Sequence, residues 1–413
     1  MLLKNKNPKG RSYLPVIFIF FFVFSQIFDG INIFGIRWIS AFFLVMLVVF
    51  HGLKTEKIST KNWLIYGLLF VIMPFYGLFR TGFNSDLSAL SDTSQLSFSV
   101  LLFATIYFQF GGNAQLAVKI MIFNLRLLSF LIIAIFMLNY FVGYYPSFFV
   151  GNEMMFFGVR EYGGVTFNFV YFISSPLLLF LGAYDSYSLI KRLSILKLFL
   201  FLLTISALFL SGTRSLIIFS LASFFFVSFW FGSLRTKIFC TVAIFLTTAY
   251  TLYLYMEVFL AMFSAANSAA KLSYLSGYAE IFGNSIYFLF GQGWNANAWS
   301  SDFIKMLDIV GNPGVKTELT YLELMRVYGA PMGAIITILL FSLPFIGNGL
   351  KEYQWLRPAL FMYLILTATN PYIFSSNGVI AFGVYLGFLR MTKGVELHSH
   401  DASTESLSLP RPL

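Results

Sequence analysis

Residues 195–232 read ILKLFLFLLTISALFLSGTRSLIIFSLASFFFVSFWFG, two apolar runs joined by a short polar turn that carries one arginine, Arg214. Each run approaches the length that takes a helix across a hydrocarbon core, where only a helix or a closed barrel satisfies every backbone N–H and C=O. Such runs recur from Tyr13 to Leu389. Of the 413 residues 58% are hydrophobic, only 11% are charged and 53 are phenylalanine. Soluble chains carry about a quarter of charged residues. The composition therefore predicts an all-α polytopic integral membrane protein.

Hydropathy places about twelve spans, near residues 12–29, 31–50, 62–80, 97–112, 120–142, 165–183, 195–210, 215–232, 237–256, 319–346, 357–373 and 376–390. The first follows a basic leader (Lys4, Lys6, Lys9, Arg11) with no small-residue cleavage site after it, which reads as a retained helix. With the N-terminus inside, 19 of the 27 lysines and arginines fall on the cytoplasmic side and 7 outside, Arg37 lying within a span. That asymmetry is the positive-inside signature. The basic balance therefore reports orientation in a bilayer and does not point to nucleic acid. Both termini are expected in the cytoplasm of a bacterium, with the chain in its inner membrane. Arg37 either faces an internal cavity or, with Trp38 suited to an interface, shows that the second span begins later than residue 31. Cys240 is the one cysteine and leaves no disulfide within the chain.

The same map divides the chain into an N-terminal helical region (1–256), a large periplasmic loop (257–318), C-terminal helices (319–390) and a polar cytoplasmic tail (391–413). Cytoplasmic connections are short and hold no phosphate-cradling glycine loop, so function is expected to face outward. His51, His398 and His400 all fall inside, leaving a carboxylate as the general base of any outer site. No metal site is expected, since ligand-spaced Cys, His and carboxylates are missing, and no cofactor.

Arg214 lies at the outer mouth of a tight turn. It is either an interfacial arginine snorkelling to headgroups or an anion clamp, its planar fork matching two phosphate oxygens beside Ser211, Gly212, Thr213 and Ser215. In the long loop, apolar residues from Lys271 to Phe282 recur at helical spacing. Gly291-Gln292-Gly293, followed by Trp294, marks a turn where backbone approaches something closely. Glu318 heads the next span. Glu323 and Arg326, three residues apart, read more readily as a structural pair than as a catalytic one.

SGTRS before an apolar span, then KLSYLSGYAEIF…FLFGQGW, then TELTYLELMRVYG, in that order over about residues 200–335, resembles the bacterial polysaccharide polymerases of the Wzy type, allied to the O-antigen ligases. The resemblance implies a GT-C-like glycosyltransferase that joins undecaprenyl-pyrophosphate-linked oligosaccharide repeat units without a metal. It maps the family's arginine onto Arg214 and its basic residue before the loop helix onto Lys271, where arginine is commoner. The ligases' outward histidine is missing, which favours polymerase over ligase and leaves Glu318 as the base. Arg160, Gly291, Gln292, Gly293, Trp294, Tyr321 and Arg326 complete the expected substrate-binding set, with Trp294 and Tyr321 as sugar platforms. A chain-length regulator and a flippase are the implied protein partners. A lipid-linked-oligosaccharide flippase is the main rival; it needs charges at mid-membrane, and the sequence puts them at the outer face instead.

Overall fold

The computed structural model describes residues 14–29, 34–47, 67–84, 113–152, 154–162, 165–235, 265–294, 319–346, 350–368 and 375–389, with a few isolated positions between them. Helices α1 (Leu14–Phe28) and α2 (Ile36–Leu47) pack together, and the Asp29 carboxylate accepts the Phe34 N–H at 3.1 Å in the turn between them. The second helix thus begins at Ile36, with Arg37 in its first turn. A π-helical turn, Leu68–Ile72, leads into α3 (Met73–Asn84). Next comes α4 (Ala114–Val142), which buries Ala117, Met121, Leu125, Leu128, Ile132 and Ile135 at the three-and-four spacing that lines one helix face.

A short helix α5 (Ser147–Gly151) then precedes an antiparallel hairpin, β1 (Met155–Tyr162) with β2 (Val165–Phe172). This corrects the all-helical expectation, which had an outer loop here running into a span at 165–183. Valine, threonine, phenylalanine and tyrosine fit a pleated surface, and the Gly163-Gly164 pair is a hairpin-type turn sequence. Helical hydropathy averaging hides both signals. The helix that follows, α6 (Leu178–Lys191), starts and ends later than the span expected at 165–183, so Asp185 falls inside a helix rather than in the connection expected after it.

α6 is the axle of the fold: Leu178 to Leu181 are fully buried, and α4, α7 (Ile195–Leu210), α8 (Arg214–Phe231) and α13 (Leu356–Thr367) surround it. Ser194 starts α7 by accepting the Lys197 N–H, and Thr213 starts α8 by accepting that of Leu216. In the long loop lie α9 (Ala265–Gly283) and α10 (Ser285–Phe290); the former covers the stretch predicted helical from residue 271 to 282. The single span expected at 319–346 is broken at Gly329 into α11 (Thr320–Tyr328) and α12 (Ala330–Ser342). A last buried helix, α14 (Ser376–Leu389), closes the core.

The count of about twelve spans is not carried by the described residues. Among them one helix, Ala114–Val142, is long and apolar enough to cross a bilayer; Arg214–Ser220 with Ala222–Phe231, bent by 47°, makes a second if taken as one span. Ile195–Leu210 and Ser376–Leu389 are apolar but shorter. The expected span at 97–112 and most of that at 237–256 lie outside the described residues.

Candidate functional site

Several element ends meet at the hairpin. Ser174 Oγ donates to the Ile27 carbonyl at the end of α1, and Asn377 Nδ2 donates to the Ile173 carbonyl at the start of α14. Arg160, on β1, donates through Nη1 to the Gly212 carbonyl at 2.9 Å, and its guanidinium lies 4.7 Å from the Phe169 ring centroid. Gly212 sits at φ +68°, and a Cβ there would stand 2.2 Å from Phe169 Cβ. Only glycine tolerates both conditions. The hairpin is therefore seated directly on the SGTRS turn.

Arg214 is the first residue of α8, two positions beyond the carbonyl that Arg160 holds. Both arginines are half-buried. The Arg160 side chain thus meets the chain two residues before Arg214, 54 positions away in sequence, and partial withdrawal from water strengthens the pull of a cation on an anion there. The N-terminal N–H groups of α8 add the positive end of a helix dipole to the same corner.

The GQGW turn builds a different arrangement. Tyr76 donates to the Phe290 carbonyl, and Arg80 donates through Nε and Nη2 to the Gly291 carbonyl at 3.3 and 3.0 Å. The Gln292 and Gly293 N–H groups pair with the Arg326 and Val327 carbonyls, and the Trp294 N–H donates to Thr81 Oγ1 at 2.7 Å. Gly291 is left-handed at φ +70°, with the Val327 carbonyl oxygen 2.3 Å from where a Cβ would be. The close backbone approach expected from the sequence is thus to another part of the protein.

Arg326 is fully buried beneath this turn. Its Nη2 and Nε reach Glu323 Oε1 and Oε2 at 2.6 and 2.9 Å, Nη1 reaches Gln292 Oε1 at 3.3 Å, and Nη2 also donates to the Trp294 carbonyl at 3.0 Å. Tyr278, from α9, donates to Glu323 Oε2 at 3.0 Å. These contacts tie α9, the GQGW turn and α11 into one lock, and they occupy all three guanidinium nitrogens.

Of the expected sugar platforms, Trp294 is 7% exposed and packs edge-on against Tyr328, while Tyr321 donates to the Leu364 carbonyl and lies against Phe341. Trp294 is an interior side chain and Tyr321 a half-buried one, each packed against the protein's own rings. Glu318 lies outside the described residues; Lys271 falls within α9, its side chain outside them. Among the described residues no group of three His, Cys, Asp or Glu side chains could hold a metal.

Sequence reasoning missed a third constellation. Arg126 on α4 makes a two-point pair with Asp185 on α6, Nη2 to Oδ1 at 2.5 Å and Nη1 to Oδ2 at 2.8 Å. Thr204 on α7 accepts from Arg126 and donates to Asp185, and the Leu200 carbonyl takes a further Arg126 bond. Asp185 is 4% exposed. The signal was there: a charged residue inside each of two apolar helical patterns. Arg126 stands within the expected span at 120–142 and Asp185 just beyond that at 165–183, where a charge is not remarkable. No family model, curated protein or solved structure matches the chain.

Proposed function

We propose that the chain is a polysaccharide polymerase of the bacterial inner membrane, GT-C-like, with about twelve membrane helices and both termini cytoplasmic. It would join undecaprenyl-pyrophosphate-linked oligosaccharide repeat units at the periplasmic face during O-antigen, capsule or exopolysaccharide synthesis. The observation that carries this reading is the corner itself: Arg160 gripping the Gly212 carbonyl at 2.9 Å beside Arg214 at the head of α8. Two cations at a helix N-terminus suit a diphosphate. The apolar exterior supports the bilayer half of the reading. Phe141 is 75% exposed, Ile195 89% and Ile338 68%, on faces that water would penalise.

In the reaction, the acceptor sugar oxygen bonds to the donor's anomeric carbon as the carbon–oxygen bond to the pyrophosphate breaks. The proton leaves for Glu318, and undecaprenyl pyrophosphate departs with the bonding pair. Arg214, with Arg160 and Lys271, stabilises the charge that builds on the leaving group; the chain's own cations serve where other glycosyltransferases use a metal. The test is conversion of purified lipid-linked repeat unit by the purified protein with EDTA present. A ladder of polymer is expected; repeat units left unjoined under conditions where the folded protein binds them would remove the reading.

A flippase is favoured by one observation, the Arg126–Asp185 pair inside the helical body, since mid-membrane charge is what transporters use. Deleting the gene separates the two. A polymerase leaves single repeat units on the lipid A core, whereas loss of all attached glycan indicates a flippase or a ligase.

A further inference from the structure

The end of the helical body away from the hairpin carries Lys191, Lys197, Lys351 and Arg357. Most of its polar groups are engaged by the protein. Tyr187 donates to the Lys351 carbonyl, Lys191 Nζ lies 4.5 Å above the Tyr187 ring, and Lys197 Nζ donates to the Ser188 carbonyl at 2.8 Å. Arg357 differs. Its Nε and Nη2 are shielded from solvent and have no hydrogen-bond partner among the described residues. Glu352, the carboxylate nearest in sequence, is exposed.

The two unpaired nitrogens share one edge of the guanidinium, the edge that presents a pair of parallel N–H groups to two oxygens. Where that edge lies follows from the helix. Phe361, one turn further along α13 on the same face, sits among Trp230, Phe341 and Phe345 at centroid distances of 6.2, 6.2 and 5.8 Å. Helical side chains lean towards the N-terminus. Arg357 therefore leans from the face that carries Phe361, where Trp230 and Phe345 stack with centroids 5.3 Å apart, towards the basic end. Two shielded donors on a half-buried cation with no acceptor among the described residues are incomplete, because buried polar groups in proteins are matched by a partner.

We propose that Arg357 is a binding site for a phosphate group, the headgroup phosphate of an anionic phospholipid in the leaflet at the basic end. The Nε/Nη2 edge takes two phosphate oxygens, and Lys351 and Lys191 add long-range attraction. Trp230 and Phe345 are the wall against the glycerol and upper acyl carbons, a place where indole rings settle at membrane interfaces. The site lies at the opposite end from the Arg160/Arg214 corner and does not depend on the catalytic reading.

The test uses the full-length protein, delipidated in detergent and titrated with phosphatidylglycerol, phosphatidylcholine or inorganic phosphate, with bound lipid read by native mass spectrometry and thermal stability in parallel. Phosphatidylglycerol should bind Arg357→Gln about fivefold or more weakly than wild type and should no longer raise its Tm. Lys351→Ala, an exposed cation outside the fork, should stay within about twofold of wild type. Where Arg357→Gln is not recovered folded, Arg357→Lys keeps the charge, loses the fork and should still bind several-fold more weakly. If inorganic phosphate competes at equal concentration with the same dependence on Arg357, the phosphate site stands and its source is the free ion. Equal retention of phosphatidylglycerol by wild type and both Arg357 variants would overturn the proposal.

Discussion

Arg326 and the Arg160/Arg214 corner are built from the same residue type in opposite surroundings. Arg326 is wholly buried, and each of its guanidinium nitrogens is matched to Glu323, Gln292 or the Trp294 carbonyl. Arg160 and Arg214 are half-buried on a turn where a hairpin rests. A fully buried guanidinium matched by a carboxylate holds elements together; the proposed role of Arg160 and Arg214 rests instead on their half-exposed place at a helix start, where a cation can still meet an anion from outside. Burial, more than residue identity, separates the two arginine environments.

The comparison breaks most sharply at Glu323. Glu323→Gln leaves Arg326 buried without its countercharge and should cost about 3–5 kcal/mol, seen as loss of folded protein in detergent or a large fall in Tm. Replacing both partners by apolar residues, Arg326→Met with Glu323→Leu, should recover much of that loss. A site role for Arg326 would instead show as normal Tm with lost activity. Arg214→Ala should do the reverse: polymer formation down by about 10²–10³ with insertion and Tm unchanged. Normal chain length in that variant would remove Arg214 from the site.

Smaller effects sharpen the picture. Gly291→Ala forces a Cβ against the Val327 carbonyl at a left-handed position and should destabilise by about 1–3 kcal/mol, measured by thermal melting, without a selective loss of activity. Thr204→Val removes a hydroxyl that both accepts from Arg126 and donates to Asp185, costing about 1–2 kcal/mol; a change in transport of lipid-linked sugar beyond that loss would favour the flippase. Arg160→Lys keeps the charge and loses the planar contacts with Gly212 and Phe169. It should lower activity several-fold at most, read as a shorter polymer ladder.

What was legible follows from what each signal averages over. Helical structure was legible in the long apolar runs, because the bilayer-length pattern is a property of consecutive residues. The helix over 271–282 was legible in its helical spacing, and the later start of α2 in the Arg37 and Trp38 that interrupt the apolar run. The hairpin at Met155–Phe172 was not, since its period-two signal is lost in a window tuned to membrane helices; nor was the later start and end of α6, which places Asp185 inside a helix. Glu323–Arg326 was readable at spacing i, i+3, whereas its Tyr278, Gln292 and Trp294 partners come from sites 32 or more residues away.

By itself the sequence determined a helical, apolar, asymmetrically charged chain and a short list of polar residues out of place in it, Arg214 among them. Only the tertiary structure decided which residues stand together: Arg160 over Gly212, Arg126 with Asp185, Arg326 locked, and Arg357 Nε and Nη2 without an acceptor among the described residues. The physical reason is that hydropathy and periodicity are local sums along the chain. Whether a guanidinium is saturated or waiting depends on the acceptors that distant segments bring within about 3 Å of it.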